Sequence, residues 1–259
     1  MSSTYTSLEA LLHDPFWAEE ETPEFDWIDA LLTEHPGSAL EIGSGSGRLI
    51  LPLLQKGHSV EGLEPSSEML DLCRDSTAKL DISPILHQGD MATFSPGRTY
   101  HSLLVPAFTL QLADDPVAAL ANFHRLLEPG GLLYLTVFIP FAELDKELPE
   151  DEWYLDHEIT LPDGRIASLH TRHRLERKAR ILHREHHYRL TEGDKTIEHL
   201  SEQSVRWFSP HQLRKMLDTA GFTPDRAVAD FDEAEPVTDQ SQILTVVARK
   251  APPSTAKIQ

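Results

Sequence analysis

The 259-residue sequence is poor in cysteine, in positive charge and in long apolar runs. Its one cysteine, Cys73, excludes an internal disulfide and any cysteine-based metal cluster, and its helix-period setting marks it as a small core residue. No stretch approaches the roughly 18 consecutive apolar residues of a membrane span. The start, MSSTYTSLEALLHDPFW, lacks the basic region and apolar core of a secretory leader. A cytoplasmic protein without membrane contact is expected. Lys and Arg number 23 against 42 Asp and Glu, a net charge of -19. Such a surface repels phosphate backbones, so nucleic acid is not expected as a partner. Hydrophobic content of 40% and charged content of 25% are ordinary for a globular chain, and the length suits one large α/β domain with an elaboration.

Short apolar runs alternate with helix-period segments from about residue 37 to 139, the pattern of βαβ units that build a parallel sheet. Strands are expected near 38–42, 59–63, 83–87, 101–105 and 131–138, with helices near 46–56, 66–78 and 114–127. Residues 143–208 break this rhythm. There LPDGRI, LERKARIL and LTEGDKTI separate segments rich in β-formers, which predicts antiparallel strands. A helix returns in SPHQLRKMLDTAGF, with Ser209 as its amino cap, Pro210 in its first turn and Gly221 at its carboxyl cap. Strands near 224–230 and 242–249 complete the sheet. The expected organisation is a helical lid segment over 1–36, a ligand-binding core over 37–142, an antiparallel β insert over 143–208 covering the active site, the rest of the core over 209–250, and a disordered tail over 251–259.

The stretch ALEIGSGSGRLILPL places glycines at 43, 45 and 47 between a strand and a helix. Glycines there let the backbone turn sharply against a ligand while the helix start offers free amide donors. The dinucleotide fingerprint G-x-G-x-x-G requires a third glycine at position 48, which is Arg48, so a nicotinamide-dependent reductase is disfavoured. The form is E-x-G-x-G-x-G, led by Glu41. A second strand ends in Glu64, 21 residues after Gly43, where a carboxylate can accept from ribose hydroxyls. A third, ILHQGDM, ends in Asp90 and Met91, suited to an exocyclic amine and an adenine face.

Three such strand ends in order resemble the class I S-adenosylmethionine-dependent methyltransferase superfamily over about residues 37–139. In that family LEIGSGSGR is similar to the glycine-rich motif around the methionine moiety, GLEPSSEML to the ribose motif, GDM to the adenine contact, and LLEPGGLLYL to the segment leading into the fifth strand. The resemblance implies a doubly wound seven-stranded Rossmann-like α/β sheet with an antiparallel insert after the fifth strand. It implies S-adenosylmethionine as cofactor, held by Glu41, Gly43, Ser44, Gly45, Gly47, Glu64, Pro65, Met69, Asp90, Met91 and Phe108. The amino terminus departs from the family's Y-D pair, so the residue that holds the cofactor carboxylate is left open.

Methyl transfer from a sulfonium needs alignment of donor and acceptor, worth on the order of 7–11 kcal/mol. A general base adds roughly 10²–10⁴-fold where the acceptor must lose a proton. No NPPY-type signature follows the fourth strand, which favours a small-molecule acceptor, methylated at N or O, over a nucleic-acid base or protein glutamine. An S-adenosylmethionine-binding partner protein without turnover is the alternative. Period-2 reading puts Trp153, Leu155, His157, Ile159 and Leu161 on one face, Ala167, Leu169, Thr171, His173 and Leu175 on another, and Leu182, Arg184, His186, Tyr188 and Leu190 on a third, with Ile197, His199, Gln203, Val205 and Trp207 on the last strand. If those faces cover the site, His157, His173 and His186 are the catalytic candidates. Trp17, Gln111, Tyr188 and Trp207 are the substrate-binding candidates. Satisfied core histidines are the competing reading. The His–Arg alternation of HTRHR and HREHH argues against a metal, and a monomer or homodimer is expected.

Overall fold

A computed structural model describes residues 5–17, 23–77, 80, 82–232 and 234–251. Residues 252–259, where a disordered tail was expected, lie outside the described residues.

Alternation of apolar strands and amphipathic helices produces a seven-stranded sheet. Its strands are β1 (Ser38–Ile42), β2 (Ser59–Glu64), β3 (Ile85–Gln88), β4 (Tyr100–Val105), β5 (Leu127–Phe138) and the late pair β10 (Phe222–Ala229) and β11 (Ile243–Lys250). Their order is β10-β11-β5-β4-β1-β2-β3. β1 to β5 run parallel, while β11 is antiparallel to both β5 and β10. The central strands are almost fully buried, as a sheet covered on both faces must be. At the edge β3 leaves Ile85 56% exposed.

Helices α3 (Ile50–Gln55), α4 (Ser67–Thr77), α5 (Pro116–Leu126) and α7 (Pro210–Thr219) cover the sheet. Asp115 caps α5 by accepting from the Val117 and Ala118 N–H groups, both at 3.0 Å. The Ser209 cap of α7 is reinforced by Gln212, a reciprocal capping box. The expected helix over 46–56 begins only at Ile50, because residues 43–49 are consumed by the glycine turn. Cys73 is buried in the core between α3, α4 and the sheet.

After β5 a short helix, α6 (Phe141–Leu144), leads into a separate antiparallel sheet of β6 (Tyr154–Thr160), β7 (Ile166–Glu176), β8 (Ile181–Glu192) and β9 (Lys195–Arg206), paired in chain order. Helices α1 (Ser7–Trp17) and α2 (Glu24–Glu34) part company. Leu8, Leu12 and Phe16 of α1 pack on Ala167, Leu169, Tyr188 and Leu190 of the insert, whereas Ile28, Leu31 and Leu32 of α2 pack on the core sheet. The stretch treated as one lid therefore contributes one helix to each layer.

On β7 and β8 the alternating faces are as expected: Ala167, Leu169, Thr171, His173 and Leu175 are buried, as are Leu182, His186, Tyr188 and Leu190. β6 differs. A bulge between Leu155 and His157 inserts one residue, which turns Trp153 and Leu155 outward at 41% and 53% exposure and brings Tyr154 inward. Ile197 is likewise outside, at 61% exposure, because β9 runs past the core there.

Candidate active site

A cavity of about 820 Å³ opens between the carboxyl ends of β1, β2, β3 and β4 and the inner face of the insert, within the range of small-molecule sites. The core wall begins with the glycine turn. Gly43 and Ser44 donate to the Leu63 carbonyl at 2.7 and 3.1 Å, which pins the turn to the end of β2. Glu64 braces it: its two oxygens accept from Gly45 N–H at 3.1 Å and Ser66 N–H at 2.9 Å. Glu41, Gly43, Ser44, Gly45, Glu64, Pro65, Met69, Asp90, Met91 and Phe108 all border the cavity. Gly47 does not. Its φ is +97°, and a Cβ there would stand 2.7 Å from Cys73 Sγ, so it serves the close approach of the turn to α4.

The loop after β4 holds two consecutive non-glycine residues at positive φ, Ala107 at 49° and Phe108 at 63°, a strained conformation stabilised from outside. Ala107 N–H donates to both Glu24 oxygens, at 3.3 and 3.2 Å, and the Phe108 ring packs 4.8 Å from that of Phe138. Glu24 also accepts from Tyr134 and Thr136. Burial raises the carboxyls of Glu24 and Glu64 above the usual range and Glu41 well above it.

The opposite wall comes from the insert, α1 and the residue Tyr5 ahead of it: Tyr154 and Asp156 of β6, Arg184, His186 and Tyr188 of β8, Gln203 and Val205 of β9, and Glu9, His13, Phe16 and Trp17 of α1. Thr171 Oγ1 donates to Asp156 Oδ2 at 2.8 Å and lies 3.1 Å from His186 Nδ1. A hydroxyl that spends its proton on Asp156 must accept from His186, so Nδ1 carries the imidazole proton and Nε2 the lone pair. Burial drives His186 down to about 4, which keeps the ring neutral.

The other two histidine candidates lie away from the cavity. His173 is buried off the cavity with both ring nitrogens unpartnered among the described residues, its ring 6.1 Å from that of Tyr154, and burial lowers its pKa. His157 packs 5.5 Å from the Phe16 ring and 4.6 Å from that of Trp17 and does not border the cavity. Two of the four substrate candidates do not border it either. Gln111 is fully buried, donating to the Phe138 and Arg206 carbonyls at 3.0 and 2.7 Å and accepting from Phe138 N–H at 2.7 Å. Trp207 fills an apolar cluster with Leu175 and Leu182. Trp17 and Tyr188 border the cavity.

Glu9, Glu24, Arg48, Asp156, Arg184 and Glu143 border it without having been site candidates in the sequence, although Arg184 shared the expected face of His186 and Tyr188. Arg184 follows from the alternation of β8 alone and Asp156 from that of β6 once its bulge is placed; the helical acids carry no local signal.

The cradle suits a cationic adenosine-bearing cofactor. Glu41 Oε2 and Ser44 Oγ are buried with no hydrogen-bond partner among the described residues, and positive-φ glycines keep the turn free of side chains. Residues 39–131 match a family described as methyltransferase domain. A methyltransferase-assigned protein of Bacillus subtilis strain 168, YqeM, is 25% identical over 230 residues, 87% of this chain and 88% of that one. The fold is shared with the CcbJ methyltransferase from Streptomyces caelestis, at 24% identity, 97% and 99% coverage and a TM-score of 0.74. It is also shared with the sugar N-methyltransferase KedS8 from Streptoalloteichus sp. ATCC 53650, at 18% identity, 97% and 95% coverage and a TM-score of 0.74. Residues 39–131 thus carry a methyltransferase domain, in a chain whose overall fold is that of S-adenosylmethionine-dependent methyltransferases.

Proposed function

We propose that the enzyme methylates a nitrogen or oxygen of a small molecule held between the core and the inner face of the insert. One observation carries this reading: the cavity has the cofactor motifs on one wall and a second, chemically distinct wall of Tyr154, Asp156, Arg184, His186 and Tyr188 on the other. The sugar N-methyltransferase KedS8, which shares the fold, supports nitrogen.

Glu64 would hold the ribose hydroxyls, Asp90 and Met91 the adenine, and Gly43 to Gly45 the methionine end, with Arg48 on the cavity wall as the cation for its carboxylate. The bound cofactor supplies an electrophilic methyl on sulfur. The chain itself aligns the acceptor and excludes water, with α1 and the insert closing over the sheet edge. His186 Nε2, fixed as an acceptor by Thr171 and Asp156, receives an N–H or O–H of the acceptor and orients its lone pair.

The test is turnover of S-adenosylmethionine against a panel of amines and alcohols, with mass spectrometry of the products. His186→Asn should lower kcat by about 10²-fold with little change in cofactor affinity. Methylation of nucleic acid or protein with none of the small acceptors would overturn the reading.

A further inference from the structure

Glu9 is 3% exposed on α1, yet it borders the cavity. Tyr5, just ahead of the helix, the Thr6 backbone, Tyr188 of β8 and Ser201 of β9 face it, with Asp156 of β6 acting on Tyr188 and Glu64 of the core on Tyr5. None of the groups that act on its carboxyl is a cation, and burial dominates, pushing it up to about 7. The other acids of this wall are engaged: Glu143 with Arg184 at 2.6 Å, Asp156 with Thr171 at 2.8 Å. Neutral groups alone, Tyr188, Ser201 and the Thr6 backbone, act on the Glu9 carboxyl, so once ionised its charge is balanced by no cation of the protein and draws one from the cavity.

Resting on the methyltransferase reading above, we infer that Glu9 binds the acceptor as an ammonium and takes its proton, so that the acceptors are primary or secondary amines. In this step the ammonium N–H bond breaks, its electron pair remains on nitrogen, and the proton forms an O–H bond on the Glu9 carboxylate. The neutral amine's lone pair then forms the new N–C bond while the electrons of the S–C bond pass to sulfur, and the carboxyl proton leaves to water. An aliphatic alcohol holds its proton far too tightly for a carboxylate to remove, whereas an alkylammonium is within reach.

The experiment is calorimetric titration of the full chain saturated with S-adenosylhomocysteine, using cyclohexylamine and N-methylcyclohexylamine against cyclohexanol. The amines should bind at least about tenfold tighter than the alcohol. At pH 7 each should release protons, read from heats in phosphate and Tris buffers, as the carboxyl ionises. Glu9→Gln should bring amine and alcohol within about twofold and abolish the proton release, Glu9→Asp should restore part of both, and S-adenosylhomocysteine affinity should stay within about twofold in each variant, which verifies the fold. Wild-type protein with no amine preference, or a preference and proton release that survive in Glu9→Gln, overturns the inference. Failure of S-adenosylhomocysteine to bind the wild type would instead overturn the methyltransferase reading.

Discussion

At Gly43 a φ of +75° and a Thr109 methyl 2.7 Å from where a Cβ would stand leave no room for a side chain. Gly43→Ala therefore costs about 1–2 kcal/mol of backbone strain before any displacement of Thr109. It should raise the cofactor Kd by at least about tenfold in calorimetry; a Kd equal to wild type would show that the turn adapts. Glu64 acts twice, bracing Gly45 and Ser66 and facing the cavity. Hydrogen bonds to a charged group contribute about 1.5–3 kcal/mol, so Glu64→Gln should weaken cofactor binding by about 10- to 150-fold. A loss under threefold would place the ribose elsewhere. These motif residues were legible because backbone geometry and charge demand particular residue types at fixed spacing. Glu9 and Glu24 were not, because a carboxylate on a helix looks the same whether it meets solvent or a cavity.

Among the elements, the loop after β4 shows how one side chain couples two sheets. Gln111 bonds the end of β5 through both the N–H and the carbonyl of Phe138, and the end of β9 through the Arg206 carbonyl. Gln111→Ala leaves those buried groups unpaired, a cost of about 2–4 kcal/mol, and should lower the denaturation midpoint while the cofactor Kd stays within about twofold. Intact stability with weakened ligand binding would instead return Gln111 to the role expected from sequence. The insert strands were half legible. Period 2 correctly paired His186 with Tyr188, because β7 and β8 keep unbroken register. On β6 the bulge exchanges inward and outward residues, and no local composition announces a bulge.

For the whole molecule, buried charge sets the response to pH. Glu9, Glu24, Glu41 and Glu64 have folded pKa values above their unfolded ones, so the stability they contribute is full below the ordinary carboxylate range and is lost as pH rises through the folded value, about 7 for Glu9. His186 works in the opposite direction: lowered to about 4, it contributes above its unfolded value of 6.5 and loses that contribution as pH falls. The two oppose each other between about pH 4.5 and 6.5, and above that window only the acids act. The ligand-free protein should accordingly melt at a lower temperature at pH 8 than at pH 6.5 by scanning calorimetry. Glu41→Gln should raise the pH 8 melting temperature and flatten the decline, while weakening the cofactor; a steeper decline in the variant would refute the assignment of strain to that carboxyl. Among the described residues no helix is long and apolar enough to cross a membrane.

The sequence by itself determined the strands of the core and the glycine turn and acidic strand ends along its edge, since βαβ alternation and such turns are local patterns with few physical solutions. Tertiary structure alone decided the wall that faces the strand ends. Which histidine meets the cavity, that Gln111 is a clamp, and that Glu9 borders the cavity from α1 depend on how α1 and a bulged sheet pack over the strand ends, and contacts between distant segments leave no spacing to read.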